Sequence, residues 1–231
     1  MHVFKSTKVK TMKNILIVVT NCNITPKNKP TGIWLEEYTI PYQLFTQAGF
    51  KIETTSIKGG AAPIDPRSNP TDEQSKQWAE AIQSLQSTTK LSTVNLNNYD
   101  AVFFPGGHGT MFDLPNNADI NNTLQNFQEN NKVIAAVCHG PACFVGATLK
   151  NGKSFLNERS VTGFTNEEEI AAEQEKNMPF LLEDELFKNG AIFIKKSEWS
   201  DHVEVDGNLI TGQNPQSSKS IAEAIIKKLN N

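Results

Sequence analysis

Short, continuous apolar runs are the feature that most constrains the fold of this chain. The clearest are Ile15–Val19 and Val133–Val137. A strand that is apolar at every position must be covered on both faces, as in a parallel sheet that lies between layers of helices. Such runs alternate with helix-like segments along the 231 residues. This alternation predicts βαβ units and an α/β protein.

The predicted elements cover most of the chain. Strands are predicted at 13–20, 51–56, 100–104 and 132–137, and near 160–162, 191–194, 202–205 and 209–211. Helices are predicted over 34–48, 71–86, 118–128, 139–149 and 218–229, with another beginning at 166. Thr71 is the expected N-cap of its helix, with Gln74 three residues on. No repeat or linker divides the sequence, so we expect a flexible extension over 1–11 and a single domain over 12–231.

Composition excludes several classes of function. The formal net charge is −3 and no basic run stands out, so we expect no nucleic-acid partner. No stretch reaches the eighteen or so apolar residues of a membrane span. The run at 15–19 is shorter than a signal-peptide core and no small-residue cleavage site follows, so we expect a cytoplasmic protein. Three cysteines, an odd and low number, argue against a disulfide framework.

Cys138 stands between a predicted strand and the segment Gly140-Pro141. Parallel α/β sheets place their sites at the carboxyl ends of strands, and a sharp strand-to-helix turn projects its side chain as a nucleophile elbow. The N-terminus of a following helix would favour the thiolate. The alternative is an inert, buried cysteine, but the local pattern favours a nucleophile. We expect Cys143 in the core and Cys22 outside the pocket.

Other segments offer candidate partners for this cysteine. Gly106–Gly109 follows another strand end, where glycines allow close backbone approach and N–H groups can stabilise an oxyanion; a plain turn is the alternative. Glutamates lie in the first turns of two predicted helices, at 36–37 and at 167–169. Acidic residues at such positions are usually surface charges that the helix dipole favours. Periodicity does not tell which of them points inward. Adjacent side chains usually diverge, yet a tight turn can bring His139 to the cysteine.

Four segments in this order resemble the ThiJ/PfpI superfamily, and the similarity is strongest to its heat-shock-type chaperone and glyoxalase III branch, alongside class I glutamine-amidotransferase-like chains. The segments are Thr31-Gly32-Ile33-Trp34, Pro105-Gly106-Gly107-His108-Gly109-Thr110-Met111-Phe112-Asp113, Ala136-Val137-Cys138-His139-Gly140-Pro141 and Thr211-Gly212-Gln213-Asn214-Pro215. The resemblance extends from about Met12 to Leu229. It implies a flavodoxin-like three-layer sandwich with a mostly parallel sheet, helices on both faces and a nucleophile elbow.

The resemblance also implies roles for individual residues. It implies a Cys-His-acid triad and a further carboxylic acid against the sulfur, which by position are Cys138, His139, Glu169 and Glu37. The consecutive glutamates at 167–169 leave the triad acid open by one position. The implied oxyanion donors are the backbone N–H groups of Gly107 and His139, and the implied pocket residues are Gly106, His108 and Trp34.

The implied activity is a cysteine-dependent conversion of methylglyoxal to lactate through a hemithioacetal, of the D-lactate dehydratase type, with no cofactor. Some members bind zinc near the site with a histidine-rich loop; the loop at 58–70 has no histidine here, so we expect no metal. The expected partner is a small reactive aldehyde, and a homodimer is expected. Two alternatives stay open. One is a protein deglycase or amide hydrolase, and the other is a stress chaperone or cysteine redox sensor; for these, glycated or unfolded proteins are the expected partners.

Overall fold

The computed structural model describes residues 12–231, so the extension predicted over 1–11 lies outside the described residues. The strands are β1 (Asn14–Val19), β2 (Lys51–Ser56), β3 (Thr89–Lys90), β4 (Ala101–Phe104), β5 (Val133–Val137), β6 (Ser160–Val161), β7 (Ile192–Phe193), β8 (Val203–Asp206) and β9 (Leu209–Gly212). Seven of them form a central sheet in the order β3-β2-β1-β4-β5-β9-β8. Every pair in this sheet is parallel except β8 with β9. The other two strands, β6 and β7, pair with each other.

Helices surround this sheet, as the alternating sequence pattern predicted. They are α1 (Leu35–Gln47), α2 (Asp72–Gln77), α3 (Ala79–Ser84), α4 (Thr110–Asp113), α5 (Ala118–Glu129), α6 (Asn166–Ala171), α7 (Leu182–Lys188) and α8 (Ser218–Asn230). Helices α1 and α8 pack on each other, α8 also packs on β5 and β9, and α5 packs on β5. All residues of β4 and β5 are buried. The mostly parallel α/β sandwich expected from the sequence is therefore confirmed.

The helix predicted over 139–149 is wrong. The chain forms only a short 3-10 helix, Gly140–Phe144, and Val145 then returns to an extended conformation. All five residues of this helix are buried. Their apolar character therefore reflects burial on every side rather than one face of an amphipathic helix. A helix this short provides a much weaker dipole behind Cys138 than the predicted one.

Smaller differences also have physical causes. The helix predicted over 71–86 is interrupted at Trp78, which is 5% exposed and leaves helical geometry, whereas the capping box of Thr71 and Gln74 forms as expected. The strands predicted near 160–162 and 191–194 are β6 and β7, outside the main sheet. None of the helices formed by residues 12–231 combines the length and apolar character needed to cross a membrane.

Candidate active site

Cys138 occupies a strained turn at the end of β5. Its φ is +59°, in the left-handed region that a non-glycine residue rarely adopts. Hydrogen bonds on both sides hold it there: Cys138 N donates to Gly212 O at 2.9 Å and Phe164 N donates to Cys138 O at 2.9 Å. A Cβ atom on Gly140 would lie 2.0 Å from Phe104 O, so the turn requires glycine at that position. Strain of this kind is characteristic of functional sites.

The turn brings two adjacent side chains together. Cys138 Sγ lies 3.3 Å from His139 Nδ1, and His139 Nε2 lies 2.7 Å from Glu169 Oε2. All three residues are buried. Because the ionised carboxyl of Glu169 only accepts hydrogen bonds, Nε2 carries a proton and donates it, so the tautomer that can act as a base has its Nδ1 lone pair facing the sulfur. This arrangement suits a base that removes the thiol proton.

The three consecutive glutamates have three different environments. Glu167 is exposed and pairs with Lys195 at 2.8 Å. Glu168 and Glu169 are both buried, but only Glu169 contacts His139. Periodicity could not separate them, because positions in the first turn of a six-residue helix face the protein according to how the neighbouring loops pack.

Glu168 is a structural residue that the sequence analysis did not single out. Its Oε1 accepts hydrogen bonds from Trp199 N at 2.8 Å and from Asn214 Nδ2 at 2.7 Å, and Gln213 Nε2 also donates to it, at 3.1 Å. Its Oε2 caps α6 by accepting from Thr165 N at 3.0 Å. The sequence signal for this role was the pair of amide side chains in the segment at 211–215, because amide donors that are buried need an acceptor.

Glu37 is fully buried beside the cysteine, whereas Glu36 is partly exposed. Gly106 N donates to Glu37 Oε2 at 2.8 Å. The other oxygen, Oε1, accepts no hydrogen bond of ordinary geometry within residues 12–231, and the Cys138 thiol lies close enough to the carboxyl to affect its pKa. Burial raises the pKa of Glu37 to about 8, although the thiol and Gly106 both lower it. This carboxyl is therefore mostly protonated at neutral pH.

Cys138 is a neutral thiol at rest. Burial raises the pKa of the Cys138 thiol well above its usual range, and the carboxylates of Glu37, Glu168 and Glu169 raise it further. This direction is opposite to the one expected from a helix N-terminus. Because the sulfur and Glu37 compete to hold negative charge, the pair keeps at least one proton. Attack by the sulfur therefore requires a base that removes the thiol proton during the reaction. His139 Nδ1 is in contact with the sulfur.

The proposed oxyanion donors have free N–H groups. Among residues 12–231, neither Gly107 N nor His139 N donates to a backbone or side-chain acceptor. A Cβ atom on Gly106 would lie 2.6 Å from His139 N, and one on Gly107 would lie 2.3 Å from Trp34 N. Glycine at 106 therefore permits the close approach of the loop at 105–109 to the turn that carries Cys138, and glycine at 107 permits its close approach to the segment at 32–34.

A cavity of about 190 Å³ opens above the sulfur. Its walls are mainly apolar, as is usual for small-molecule sites. Of the expected pocket residues, Trp34 and His108 line the cavity, but Gly106 does not: it lies behind the wall, where its N–H donates to Glu37. Cys22 and Cys143 are also outside it. The lining residues are Trp34, Arg67, Gly107, His108, Cys138, His139, Phe164, Ala172, Trp199 and Pro215.

His108 and Arg67 extend the chain of contacts behind the cysteine. His108 Nε2 lies 2.8 Å from Glu169 Oε1, and Arg67 NH2 lies 2.8 Å from His108 Nδ1. Arg67 also forms two hydrogen bonds to the buried Asp65, at 2.9 and 2.6 Å. The pKa of His108 is lowered to about 4, mainly by burial and also by His139 and Arg67, although Glu169 raises it. Arg67 was not predicted from the sequence, because it lies in a three-residue 3-10 helix, Pro66–Ser68, which is too short to show periodicity.

His108, His139 and Glu169 are residue types that can bind a metal, and their donor atoms all lie within 4.8 Å of one another. Hydrogen bonds already account for this proximity. Both imidazole Nε2 atoms face the carboxylate of Glu169, and the remaining His108 nitrogen accepts from Arg67. The adjacent guanidinium would also repel a cation. We therefore assign no metal to these residues.

The fold and the site together define a class: α/β proteins with a cysteine elbow and a Cys-His-Glu series of contacts. The sequence model of the DJ-1/PfpI family matches residues 31–228, and the chain belongs to this family. The superfamily inferred from the four motifs is confirmed.

Individual relatives agree with this assignment. The chain is 34% identical over 223 residues to the glutathione-independent glyoxalase hsp3101 of Schizosaccharomyces pombe, covering 87% of this chain and 89% of the relative. The Rapid Encystment Protein 24 kDa of Francisella tularensis superposes with a TM-score of 0.91 at 39% identity, covering 95% and 100% of the two chains. The crystal structure of glyoxalase III from Candida albicans superposes with a TM-score of 0.83 at 28% identity, covering 94% and 97%.

Proposed function

We propose that this chain is a glutathione-independent glyoxalase that converts methylglyoxal to D-lactate, with Cys138 as the nucleophile. The observation that carries the proposal is the contact of Cys138 Sγ with His139 Nδ1 at 3.3 Å, with Glu169 behind the ring. The small apolar cavity above the sulfur suits a compact substrate. The names of the relatives in S. pombe and C. albicans support the same activity.

The first step forms a carbon–sulfur bond. Cys138 Sγ adds to the aldehyde carbon of methylglyoxal while His139 Nδ1 takes the thiol proton, so that an alkoxide and an imidazolium form together. The N–H groups of Gly107 and His139 stabilise the alkoxide, which then takes the proton back from the imidazolium to give a neutral hemithioacetal and a neutral His139. Glu169 stabilises the imidazolium through its Oε2, as the acid of a triad does.

The second step moves hydrogen within the substrate. A base removes the proton from the carbon bonded to sulfur, giving an enediol, and reprotonation at the neighbouring carbon gives a lactoyl thioester. His139 and Glu37 are the two candidate bases; Glu37, with a pKa of about 8, is mostly protonated at neutral pH and can act as the base only in its minor ionised form. Water then cleaves the thioester and restores the thiol. The net reaction adds one water to methylglyoxal, so no oxidant or reductant is needed.

The test is methylglyoxal consumption by purified protein without glutathione, with lactate measured by enantiomer-specific oxidation. Wild type should produce D-lactate, and Cys138→Ala should be inert. Cys143→Ala is the matched control, because that cysteine is buried outside the cavity, and it should retain turnover. If wild type and Cys138→Ala are equally inactive toward methylglyoxal and glyoxal, the proposal is wrong.

The alternatives differ in what they require of the cysteine. A redox sensor needs an accessible, low-pKa thiol, whereas Cys138 is 3% exposed and burial raises its pKa. Turnover of glycated amines or amides in place of free aldehydes would favour the deglycase or amide hydrolase. Holdase activity that survives Cys138→Ala would favour the chaperone. The homodimer and the cytoplasmic location stay predictions; light scattering that gives the mass of one chain at micromolar concentration would contradict the dimer.

A further inference from the structure

One carboxylate, that of Glu169, is shared by two imidazole rings. His139 Nε2 contacts Oε2 at 2.7 Å and His108 Nε2 contacts Oε1 at 2.8 Å, and the ring centroids are 4.1 Å apart. Arg67 lies on the far side of His108, with NH2 2.8 Å from Nδ1. A guanidinium only donates hydrogen bonds, so His108 Nδ1 must accept and cannot carry a proton. His108 is therefore the neutral tautomer that donates from Nε2 to Glu169.

We propose that Arg67 and His108 are positioning residues: Arg67 holds His108 neutral, and His108 orients the Glu169 carboxylate, so that the proton leaving Cys138 goes to His139 alone. The effect on turnover rests on the proposed function, whereas the protonation of His108 does not. Neither residue needs to touch the substrate for this role.

The role follows from the charges that reaction creates. When His139 accepts the thiol proton, its positive charge needs the full anionic character of Glu169. A protonated His108 would place a second positive charge on a ring 4.1 Å away and would compete for the same carboxylate. A neutral N–H donor does the opposite, since it stabilises the anion and fixes its orientation without adding charge. Arg67 enforces this state, because protonation of Nδ1 would break its hydrogen bond and bring two cations together.

The other charged groups around His108 are consistent with this role. Arg67 and Asp65 face it from the loop before α2, Glu169 from α6, and His139 and Cys138 from the turn after β5. Asp65 accepts two hydrogen bonds from the Arg67 guanidinium and so offsets part of its charge, but the guanidinium still donates to His108 Nδ1, and this hydrogen bond excludes a second ring proton. The pKa of His108 is lowered to about 4: burial contributes most, His139 and Arg67 also lower it, and Glu169 raises it.

Glutamine offers a discriminating substitution at position 108. Its amide oxygen can accept from Arg67 while its NH₂ donates to Glu169, and it cannot take up a proton. We expect His108→Gln to stay within about fivefold of the wild-type kcat/KM. His108→Leu should lose about 10–100-fold, the loss expected when one hydrogen bond to a charged group is removed. A ring needed only for packing would give the reverse order, because leucine fills apolar space better than an amide does.

The experiment on Arg67 uses pH. Histidine ring NMR on wild type should show His108 neutral down to about pH 4. Arg67→Gln should raise its pKa by at least one unit, since a cation is lost and Asp65 becomes unpaired. Where the raised pKa of His108 exceeds the pKa that sets the acid limb of kcat/KM in wild type, this limb should move up with it, because the form with protonated His108 is impaired. Arg67→Lys, which retains the charge, should give a smaller shift. The double variant Arg67→Gln/His108→Gln should restore the wild-type acid limb, because residue 108 can no longer titrate.

Specific results would overturn the inference. If the His108 ring of the wild-type protein titrates near the usual histidine pKa, the inference is wrong whatever the variants show. An acid limb that stays raised in the double variant, or equal losses in His108→Gln and His108→Leu, also contradicts it. If no variant or wild type turns over methylglyoxal while the ring titrations behave as stated, the proposed function fails and the assignment of His108 and Arg67 stands.

Discussion

Cys138 Sγ and His139 Nδ1 lie 3.3 Å apart although the two residues are neighbours in the chain. The left-handed φ of +59° at Cys138 turns the two side chains toward the same space. His139 N donates to no acceptor within residues 12–231, so one residue carries both a basic side chain and a free N–H group. Substituting the His139 side chain therefore leaves the backbone donor in place.

Backbone strain at the elbow is measurable apart from chemistry. Cys138→Gly should unfold with a free energy about 1 kcal/mol higher than Cys138→Ala, because glycine adopts positive φ without steric cost. Both variants lack the nucleophile, so the comparison isolates the backbone. Ala136→Gly in β5 is the control and should lower the free energy of unfolding. Urea denaturation measures all three, and equal stability of Cys138→Gly and Cys138→Ala would refute a strained elbow.

The three glutamates of α6 should separate into three phenotypes when each is changed to glutamine. Glu167→Gln should alter the free energy of unfolding by less than about 0.5 kcal/mol, because its pair with Lys195 is exposed. Glu168→Gln should lose about 2–4 kcal/mol, because an NH₂ group would face buried donors, and the emission of Trp199 should change. Glu169→Gln should lower kcat by about 10²–10⁴-fold. A larger kinetic effect at Glu168 with unchanged stability would reverse this assignment.

Stability should depend on pH through Glu37. Its pKa in the folded protein, about 8, is raised above the ordinary 4.5, so the folded state binds the proton more tightly than the unfolded state does. The stabilisation is therefore complete below about pH 4.5 and is lost as pH rises toward 8. Glu37→Gln should remove this slope, so the variant gains on wild type by about 1.4 kcal/mol per pH unit between those values. Urea titrations across pH, with Glu36→Gln as the control, measure it; parallel curves for wild type and Glu37→Gln contradict the buried proton.

Hydrogen bonding from Glu37 to the sulfur has its own test. The ultraviolet absorbance of the thiolate, followed against pH, gives the pKa of Cys138. Glu37→Gln removes a negative charge and keeps a donor, whereas Glu37→Leu removes both, so the thiol pKa should be lower in the glutamine variant than in the leucine variant. Glu36→Gln should match wild type. If Glu36→Gln shifts the curve more than either Glu37 variant, the adjacent glutamate is the one that matters.

The tight contact at Gly140 predicts a position that tolerates no side chain. Gly140→Ala would place a methyl group 2.0 Å from Phe104 O, and the displacement should cost more than about 3 kcal/mol. Gly152, whose Cβ would meet no atom within 4 Å, is the control. Gly152→Ala should cost only the left-handed backbone penalty, about 1 kcal/mol. Thermal melts distinguish the two, and similar values would mean that the elbow can relax.

The sequence predicted elements well where one physical requirement dominated. A strand covered on both faces has to be apolar throughout, so β1, β4 and β5 were placed to within a residue or two. The motifs named Cys138 and His139 because the elbow requires glycine and a strand end. The predicted helix at 139–149 failed because those residues are buried on all sides, which removes the polar face that defines helical periodicity.

Contacts between distant segments were out of reach for sequence patterns. Arg67, His108 and Glu169 come from three separate segments, and their hydrogen bonds depend on how a loop, a strand end and a short helix pack. The distinct roles of the glutamates at 167–169 depend on the same packing. A local pattern records the residue types but not which of several equivalent positions meets a partner more than 30 residues away.

The adjacency of Cys138 and His139 has a consequence for how the protein responds to heat. Their separation is set by one peptide unit and two side-chain rotamers, so breathing of the domain does not pull them apart. Glu169, in contrast, reaches the ring from the six-residue α6, whose place depends on loops elsewhere in the chain. Warming should therefore first uncouple the carboxylate from a still intact cysteine–histidine pair. Turnover should therefore fall when the His139 ring loses its hydrogen bond to Glu169. This should happen at a lower temperature than the one at which Cys138 and His139 separate.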